Sequence, residues 1–365
     1  MPKLAILADP HSTHTYKWVH NLSKKGYEIL LIGIGDKTTQ LYDELENVQC
    51  KCILVRKNQQ NRKLDFIKLT NLFHFFKIKK EIRAFSPDIL HSFYASSYGL
   101  IGALCNVRPY VISIWGSDVF EFPNKSFLHK KILQYSLGKA DRLCATGEVL
   151  KKESQKYTSK DIDTIPFGID TDYFKPSTEK NNQPITIGTV KHFKTIYGIE
   201  TLIQAIAQLK NEKFLSSFKL LLVGDGPEKE NYLSLANSLG ILDEIEFPGF
   251  IMNNQLASYY QQMDVVVIPS LRESFGISVL EGMSCAKPVI ASDINGFNEV
   301  GTSETITYFE AGNSADLAIK IKSCIENKVS YNEKAKKARE RVIELFSEQA
   351  CVEKKVNLYQ QLIGK

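Results

Sequence analysis

The sequence predicts an α/β protein made of two doubly wound, Rossmann-like domains that face each other across a cleft. Short apolar runs alternate with amphipathic helical patterns almost from end to end, which is typical of βαβ units around a parallel sheet. The chain has 365 residues, about twice the length of an ordinary domain. A polar, turn-rich stretch near the middle separates two such series.

Each predicted strand is a short, mostly apolar run, as expected for a parallel strand buried on both faces. The first series contains Leu4–Ala8, Glu28–Ile34, Cys52–Val55, Asp88–His91, Tyr110–Ile114 and Arg142–Ala145. The second contains Ile185–Val190, Lys219–Val223, Ile245–Phe247, Asp264–Ile268 and Pro288–Ala291. Helical patterns lie between the strands, clearest at Thr15–Lys25, Asn124–Leu137, Gly198–Lys210, Glu228–Leu239, Asn254–Gln262 and Gly276–Cys285, and a long charged one covers Asn332–Gly364.

The domain junction is predicted at residues 165–176 and the polar residues 177–183, which are rich in turn formers and lack periodicity. This divides the chain into an N-terminal domain, 1–167, and a C-terminal domain, 168–345. Ligands of open α/β sheets bind at the carboxyl ends of the strands. Two facing domains of this kind therefore place the active site in the cleft between them.

Composition places the chain among soluble globular proteins, because 43% of the residues are hydrophobic and 24% are charged. Seven scattered cysteines without a Cys-x-x-Cys pair fit neither a disulfide framework nor a zinc site. The apolar N-terminus is too short for a signal peptide, and the uncharged stretch 89–107 carries too many polar side chains for a membrane span. We therefore expect a cytoplasmic protein with reduced thiols.

Charge is unevenly distributed along the chain. Residues 1–165 hold 25 Lys and Arg against 16 Asp and Glu, whereas the remaining residues hold 21 against 25. Nine of the basic residues lie in 56–83, interleaved with apolar ones. Such a segment is an ordinary crossover helix with its apolar side in the core, a contact with an anionic membrane surface, or both. A peripheral position on the inner face of the plasma membrane stays open, whereas nucleic acid is not expected because no nucleic-acid motif is present.

The most informative stretch is 269–292. A predicted strand ends at Pro269, a loop carries Glu273, and a helix opens near Gly276 with free N–H groups that suit a diphosphate. If helix covers most of the interval to Glu281, the two carboxylates lie about 12 Å apart and cannot flank one bond. Carboxylates accept hydrogen bonds from vicinal hydroxyls. A sugar at one end, a ribose at the other and a diphosphate over the helix N-terminus describe a nucleotide sugar.

This stretch contains Glu-Ser-Phe-Gly at 273–276, and Glu273 and Glu281 form a Glu-x7-Glu pair. It resembles the donor-site signature of retaining glycosyltransferase family 4. Members of that family have the GT-B fold. Further matches lie at 115–118, 165–170, 224–227 and 247–249, so the resemblance covers nearly the whole chain. It implies that the N-terminal domain binds the acceptor and the C-terminal domain the donor. We also expect the last helix, 346–365, to pack back on the N-terminal domain.

By position, the resemblance implies that Glu281 holds the ribose hydroxyls and Glu273 the donor sugar. Lys191 and Lys194 match the region where the family places cations on the diphosphate. The family's usual second lysine is Tyr197 here, so which lysine contacts the second phosphate stays open. The other donor-side candidates are Phe275, Gly276, Ile277, Gly224, Gly226, Gly249, Phe250 and Ile251.

The mechanism that the resemblance implies is front-face attack with retention, in which the leaving diphosphate accepts the acceptor's proton. Glu273, Lys191 and Lys194 are the catalytic candidates on the donor side, because the lysines and the helix amides stabilise the leaving charge. No metal and no cofactor are then required besides the nucleotide-sugar co-substrate, which we expect to be a UDP-sugar. Two Asp-x-Asp sequences, 161–163 and 170–172, are interpreted as turns or hinges rather than metal ligands.

Acceptor-side candidates follow two predicted strands of the N-terminal half. His11 and Ser12 lie in the loop after the first strand, where Ser12 is equally suited to cap the next helix. Trp115, Ser117 and Asp118 lie just past another strand's carboxyl end. A site role is favoured over capping for Asp118, which is counted among the catalytic residues.

The sequence therefore predicts a retaining glycosyltransferase that acts on a glycan or lipid-diphosphate-linked acceptor in bacterial cell-envelope polysaccharide synthesis. Two alternatives stay open. A GT-B sugar-nucleotide epimerase would need acid and base residues around the sugar ring. A catalytically silent subunit would bind the nucleotide sugar without turning it over.

Overall fold

The computed structural model describes residues 1–35, 37–54, 75–177 and 184–364. The chain divides into two compact units, one formed by Met1–Phe167 with Cys351–Lys365 and the other by Gly168–Ala350. The division after Phe167 coincides with the predicted boundary. Each unit holds one parallel sheet with helices on both faces, which confirms the predicted pair of Rossmann-like α/β domains.

The first unit contains a seven-stranded sheet in the order β3-β2-β1-β4-β5-β6-β7. The strands are β1 Lys3–Leu7, β2 Glu28–Gly35, β3 Val48–Leu54, β4 Ile89–Phe93, β5 Tyr110–Ile114, β6 Arg142–Ala145 and β7 Ile162–Thr164. The helices are Thr13–Lys24, Phe75–Phe85, Ser97–Cys105, Ser117–Phe120, Phe127–Lys139, Glu148–Ser154 and, from the C-terminus, Glu348–Ile363. Of the basic segment 56–83, residues 56–74 lie outside the described part of the chain.

Two apolar cores cover the faces of this sheet. Helices Phe75–Phe85, Ser97–Cys105 and Phe127–Lys139 pack on one face. Helix Thr13–Lys24 and the C-terminal helix Glu348–Ile363 pack on the other. The C-terminal helix also places a buried lysine, Lys355, against this sheet. Lys355 Nζ donates to Ser113 Oγ at 3.1 Å and lies 4.9 Å from the centre of the Trp18 ring. Burial lowers the pKa of Lys355.

The second unit contains a six-stranded sheet in the order β10-β9-β8-β11-β12-β13. The strands are β8 Ile185–Val190, β9 Phe218–Val223, β10 Ile245–Gly249, β11 Val265–Ile268, β12 Val289–Ser292 and β13 Thr307–Phe309. The helices are Ile199–Asn211, Lys229–Ser238, Leu256–Gln262, Ile277–Ser284, Asn295–Val300, Ser314–Glu326 and Lys328–Arg341. A π-helical turn, Val342–Phe346, follows the last of them.

Three features differ from the sequence prediction. Strands β7 and β13 were not predicted, because each has only three residues and ends its sheet at an edge, too short for a periodic signal. Strand β3 begins at Val48, four residues before its predicted start. The predicted long helix at 332–364 is interrupted at Ser347, whose extended backbone bridges to Ile169.

Each sheet reverses its strand order beside its first strand. In the first unit β1 lies between β2 and β4, and in the second β8 lies between β9 and β11. The loops that follow neighbouring strands diverge at such a point and leave a crevice at the carboxyl edge, where α/β proteins bind ligands. Within the described ranges, no helix combines the length and the apolar content needed to cross a bilayer.

His14, at the start of helix Thr13–Lys24, is enclosed by aromatic rings near this edge of the first sheet. Its ring stacks on Phe167 at 3.9 Å and lies edge-on to Trp115 at 6.0 Å. Burial, and then the charge of Lys17, lowers the pKa of His14 to about 4. The folded protein therefore holds this imidazole neutral at pH values where an unfolded chain would protonate it.

We predict that His14 makes the first unit sensitive to acid. Between pH 7 and pH 5 the unfolded state binds a proton that the folded state does not, so this group alone should lower the free energy of unfolding by about 2 kcal/mol. His14→Phe, which can keep the ring stack, should lose less stability over that interval in thermal unfolding. His11→Gln, at an exposed position, is the control and should behave like the wild type. Equal losses in all three proteins would contradict the prediction.

Candidate functional site

An ion pair lies at the carboxyl edge of the second sheet, where the strand order reverses. Lys191 directly follows β8, Glu273 lies in the loop after β11, and Lys191 Nζ is 2.8 Å from Glu273 Oε2. The side chains are only 7% and 19% exposed. The ammonium also lies 4.9 Å from the centre of the Tyr197 ring, within cation–π distance. The structure thus brings together two of the predicted catalytic residues.

Backbone hydrogen bonds join the loops that surround this pair. Lys191 N–H donates to Val223 O at 3.0 Å, and Gly224 N–H donates to Gly249 O at 3.0 Å. Gly224 has φ +144°, and a Cβ there would overlap the Lys191 carbonyl oxygen. Gly226 likewise leaves no room for a Cβ beside the Phe193 carbonyl. These glycines allow the loops after β8 and β9 to approach each other closely.

Glu281, the other predicted glutamate, is buried within helix Ile277–Ser284. Its Oε2 accepts a hydrogen bond of 2.8 Å from the Tyr260 hydroxyl. Burial, and then the Glu281 carboxylate, raises the pKa of Tyr260, so the phenol remains protonated and able to donate. Sequence analysis did not find Tyr260, because a tyrosine at a core position of a helix carries no signal of its partner.

The helix that follows Glu273 begins at Ile277, and Gly276 at its N-cap has φ +105°. A Cβ at Gly276 would lie 2.8 Å from the Phe297 ring, so the glycine also permits close packing. Since the N-cap residue is a glycine, it offers no side chain to cap this helix N-terminus. Only about half of the interval from Glu273 to Glu281 is helical, which corresponds to a rise of about 6 Å. The condition that helix covers most of this interval is therefore not met. The two carboxylates nevertheless have different partners, Lys191 for Glu273 and Tyr260 for Glu281.

The remaining donor-side candidates occupy loops of the same unit. Phe275 is buried and its ring lies 6.0 Å from that of Phe346. Lys194 is exposed at the start of a 3-10 turn, Thr195–Tyr197, outside the Lys191–Glu273 pair. Phe250 directly follows β10 and is 78% exposed, and its neighbour Ile251 packs partly against the core.

A pocket of about 420 Å³ lies at the carboxyl edge of the first sheet, where its strand order reverses. Aromatic side chains form much of its wall. The lining residues are Asp9, Ser12, Ile34, Phe93, Tyr94, Ser97, Tyr98, Ile101 and Trp115. It therefore includes two of the predicted acceptor-side residues, Ser12 and Trp115.

Ser12 occupies the N-cap position of helix Thr13–Lys24, but its side chain makes no capping hydrogen bond. Ser117 Oγ is hydrogen-bonded to the hydroxyl of Tyr94, a lining residue, and so supports the pocket from behind. His11 is exposed, with its ring Nε2 3.4 Å from Lys37 O. Of His11, Ser12 and Ser117, therefore, Ser12 lines the pocket and the other two do not.

Asp118 is fully buried beneath the same loops. Its carboxylate accepts backbone N–H groups of Ala95 at 2.8 Å, Gly116 at 2.7 Å and Trp115 at 3.2 Å. Burial raises the pKa of Asp118, and these hydrogen bonds oppose that rise. This geometry supports a capping role for Asp118 instead of the site role that the sequence favoured. Asp118 holds the loops after β4 and β5 together and thereby positions Trp115.

The two Asp-x-Asp sequences have local partners. Asp170 Oδ1 accepts the N–H groups of Asp172 at 3.1 Å and Tyr173 at 2.9 Å, which is a turn of the kind predicted. Asp163 pairs with Arg142 at 2.7 Å. Among the residues that the structure describes, no group of three or more His, Cys, Asp or Glu side chains is arranged to hold a metal ion.

Comparison with known proteins adds two family matches. Residues 170–343 match the family described as glycosyl transferases group 1, and residues 3–147 match glycosyl transferase 4-like. An uncharacterized glycosyltransferase of Methanocaldococcus jannaschii is 26% identical over 88% of each chain. N-acetyl-alpha-D-glucosaminyl L-malate synthase of Bacillus anthracis is 26% identical over 76% of this chain and 75% of its own.

Solved structures show the same fold. HepE of Anabaena in complex with UDP has a TM-score of 0.81 at 17% sequence identity, over 99% of this chain and all of its own. Structures of HepE with UDP and glucose and with UDP-glucose are similar at TM-scores of 0.78. With one family match in each unit and this fold throughout, the chain belongs to the family 4-type glycosyltransferases with the GT-B fold.

Proposed function

We propose that this glycosyltransferase moves a sugar from a UDP-sugar, with retention and without a metal ion, to a glycan or lipid-diphosphate-linked acceptor in cell-envelope polysaccharide synthesis. The observation that carries the proposal is the partly buried Lys191–Glu273 pair at the strand-order reversal of the second sheet. It combines a cation for a leaving diphosphate with a carboxylate for sugar hydroxyls. Both groups are held where α/β proteins bind their ligands.

The charges support phosphate chemistry. Lys191 is largely withdrawn from solvent, where an ammonium interacts more strongly with an anion than it does in water. The uncapped N-terminus of helix Ile277–Ser284 lies four residues beyond Glu273 and favours a second site of negative charge. Lys191 and the helix amides together can stabilise the diphosphate as the glycosidic bond breaks, which is the role a metal has in other enzymes.

Glu281 supports a nucleotide donor, and the similar structures support UDP. A buried carboxylate positioned by Tyr260 is a suitable acceptor for ribose hydroxyls. HepE, which shares the fold, was solved with UDP and with UDP-glucose. We place Gly249, Phe250 and Ile251 beside the base, where the exposed Phe250 ring would gain a stacking partner.

The acceptor is proposed to enter the pocket of the first unit. Its volume of about 420 Å³ is within the range of small-ligand sites, and aromatic walls with a few polar groups suit the mixed surface of a sugar ring. Trp115 and Ser12 contribute directly, and Asp118 positions Trp115. The basic segment 56–83 is proposed to contact an anionic membrane surface, with residues 75–83 forming the start of helix Phe75–Phe85.

Nucleotide sugars should stabilise the protein selectively. A ligand at about 100 times its Kd raises the free energy of unfolding by roughly 2.7 kcal/mol, which shifts Tm by about 5–11 °C in a domain of 150–250 residues. We expect UDP-sugars to give this shift in thermal unfolding and ADP-, GDP- and CDP-sugars to give less. EDTA should leave both the shift and UDP release unchanged. A larger shift with another nucleotide would disprove the assignment of UDP, and an EDTA-sensitive reaction would disprove metal independence.

Glu273→Ala should separate chemistry from nucleotide binding. Loss of charged hydrogen bonds worth about 1.5–3 kcal/mol should lower kcat/KM for UDP release from the donor roughly 10- to 150-fold. The Kd of UDP, measured by calorimetry, should stay unchanged or fall, because Lys191 loses its competing anion. Glu244→Ala, which breaks the Lys210 pair in the same unit, is the control. Unchanged turnover in Glu273→Ala would remove its assigned role, whereas UDP binding without any turnover in the wild type would favour a silent binding subunit.

Tyr260→Phe tests whether Glu281 must be positioned. Removing the phenolic donor frees the carboxylate to rotate, so we expect the Kd of UDP to rise about 5- to 10-fold, from a hydrogen bond worth about 1–1.5 kcal/mol. Tyr308→Phe is the matched control, since the Tyr308 hydroxyl of the same unit donates to a backbone carbonyl, that of Phe297, at 3.3 Å. Equal changes of Kd in both variants would show a general loss of packing instead of a role for Tyr260.

A further inference from the structure

Helix Phe127–Lys139 presents an aromatic and basic face to solvent. Its buried side, Leu133, Ser136 and Leu137, packs on the first sheet. At the opposite side Phe127 is 75% exposed and Leu128 is 58% exposed. Large apolar side chains exposed next to each other at the start of a helix are a costly surface for a protein that stays in water. These positions therefore point to a partner that covers them.

Lysines are interleaved with the apolar side chains of this face. Lys131 Nζ lies 5.3 Å from the centre of the Phe127 ring, and Lys139 Nζ lies 5.5 Å from that of Tyr135. Residues 122–140 contain no Asp or Glu. In the described part of the chain, none of Lys130, Lys131 and Lys139 pairs with a carboxylate. The face therefore carries a net positive charge without internal compensation.

We propose that the outer face of helix Phe127–Lys139 docks the protein on the surface of an anionic lipid bilayer. Phe127, Leu128 and Tyr135 enter the boundary between headgroups and acyl chains. Lys130, Lys131 and Lys139 extend to the lipid phosphates, as long basic side chains do at membrane interfaces. The positive charge of the face matches the negative charge of such a bilayer.

The chemistry of the face favours lipid over the other polyanions. A nucleic-acid surface needs cations and hydrogen-bond donors, and it offers no apolar layer that would cover Phe127 and Leu128 at once. A bilayer covers both classes of side chain at one depth. This places the contact on a helix that the sequence analysis did not assign to the membrane, whose hypothesis concerned 56–83. It does not depend on which sugar is transferred.

The test is co-sedimentation of the full chain with vesicles of phosphatidylcholine and with vesicles of phosphatidylcholine mixed with phosphatidylglycerol. We expect binding to the mixed vesicles that decreases with added salt, and weak binding to neutral ones. Lys130→Gln with Lys131→Gln should weaken binding about 30-fold, from about fivefold for each lysine at an anionic surface. Phe127→Ser with Leu128→Ser should weaken it by at least tenfold.

Matched controls lie on helix Lys328–Arg341 of the second unit. Val329→Ser at an exposed position, and Lys336→Gln with Lys337→Gln, change the same residue classes and should leave vesicle binding unchanged. The Kd of UDP should be equal in all variants, so a failure here is distinguishable from a failure of the proposed function. The proposal is overturned if vesicles do not bind, if neutral vesicles bind equally well, if RNA binds in their place, or if Lys57→Gln with Arg62→Gln abolishes binding while the helix variants do not.

Discussion

The proposed donor site depends on the ion pair of Lys191 and Glu273, and the pair depends on sheet order. The two residues are 82 positions apart in sequence, and they meet because β8 and β11 are neighbours in the second sheet. Gly224 lets the next loop approach the Lys191 backbone, and Gly296 does the same for helix Asn295–Val300 beside the Glu273 carbonyl. A larger side chain at either glycine would displace a charged residue, so packing and electrostatics are coupled here.

Glu281 and Glu273 are held by different kinds of partner. Glu281 is buried and accepts a hydrogen bond from Tyr260, so one of its oxygens is fixed before any ligand arrives. Glu273 is instead held by a flexible lysine, which can turn to a new anion while the carboxylate turns to a hydroxyl. Such a division suits a donor whose nucleoside must be held throughout the reaction and whose sugar must leave. In the proposed reaction Glu273 exchanges its charged partner, whereas Glu281 keeps the neutral Tyr260 hydroxyl.

Sequence analysis found the residue types that carry charge and the loops on which they lie, because charged groups after apolar strands are a strong pattern. It located Lys191, Glu273, Glu281 and the glycine at 224. It could not find Tyr260 or assign Tyr197 its place against Lys191, since a tyrosine among apolar residues has the same pattern whether or not its ring or hydroxyl has a polar partner. The site role favoured for Asp118 was not supported for a related reason. A carboxylate after a strand looks the same in sequence whether it faces a ligand or its own backbone.

The pocket of the first unit differs in chemistry from the ion-pair site of the second unit. Beneath this pocket the Asp118 carboxylate accepts backbone N–H groups, and the buried Lys355 ammonium donates to Ser113. What faces the pocket is mainly aromatic, with Asp9 as the acidic group of its wall. Apolar walls recognise shape and sugar faces with little cost of desolvation, whereas a diphosphate demands fixed charge. The contrast between the two units therefore suits the proposed reaction, in which the donor's diphosphate needs fixed charge and the acceptor's sugar hydroxyl does not.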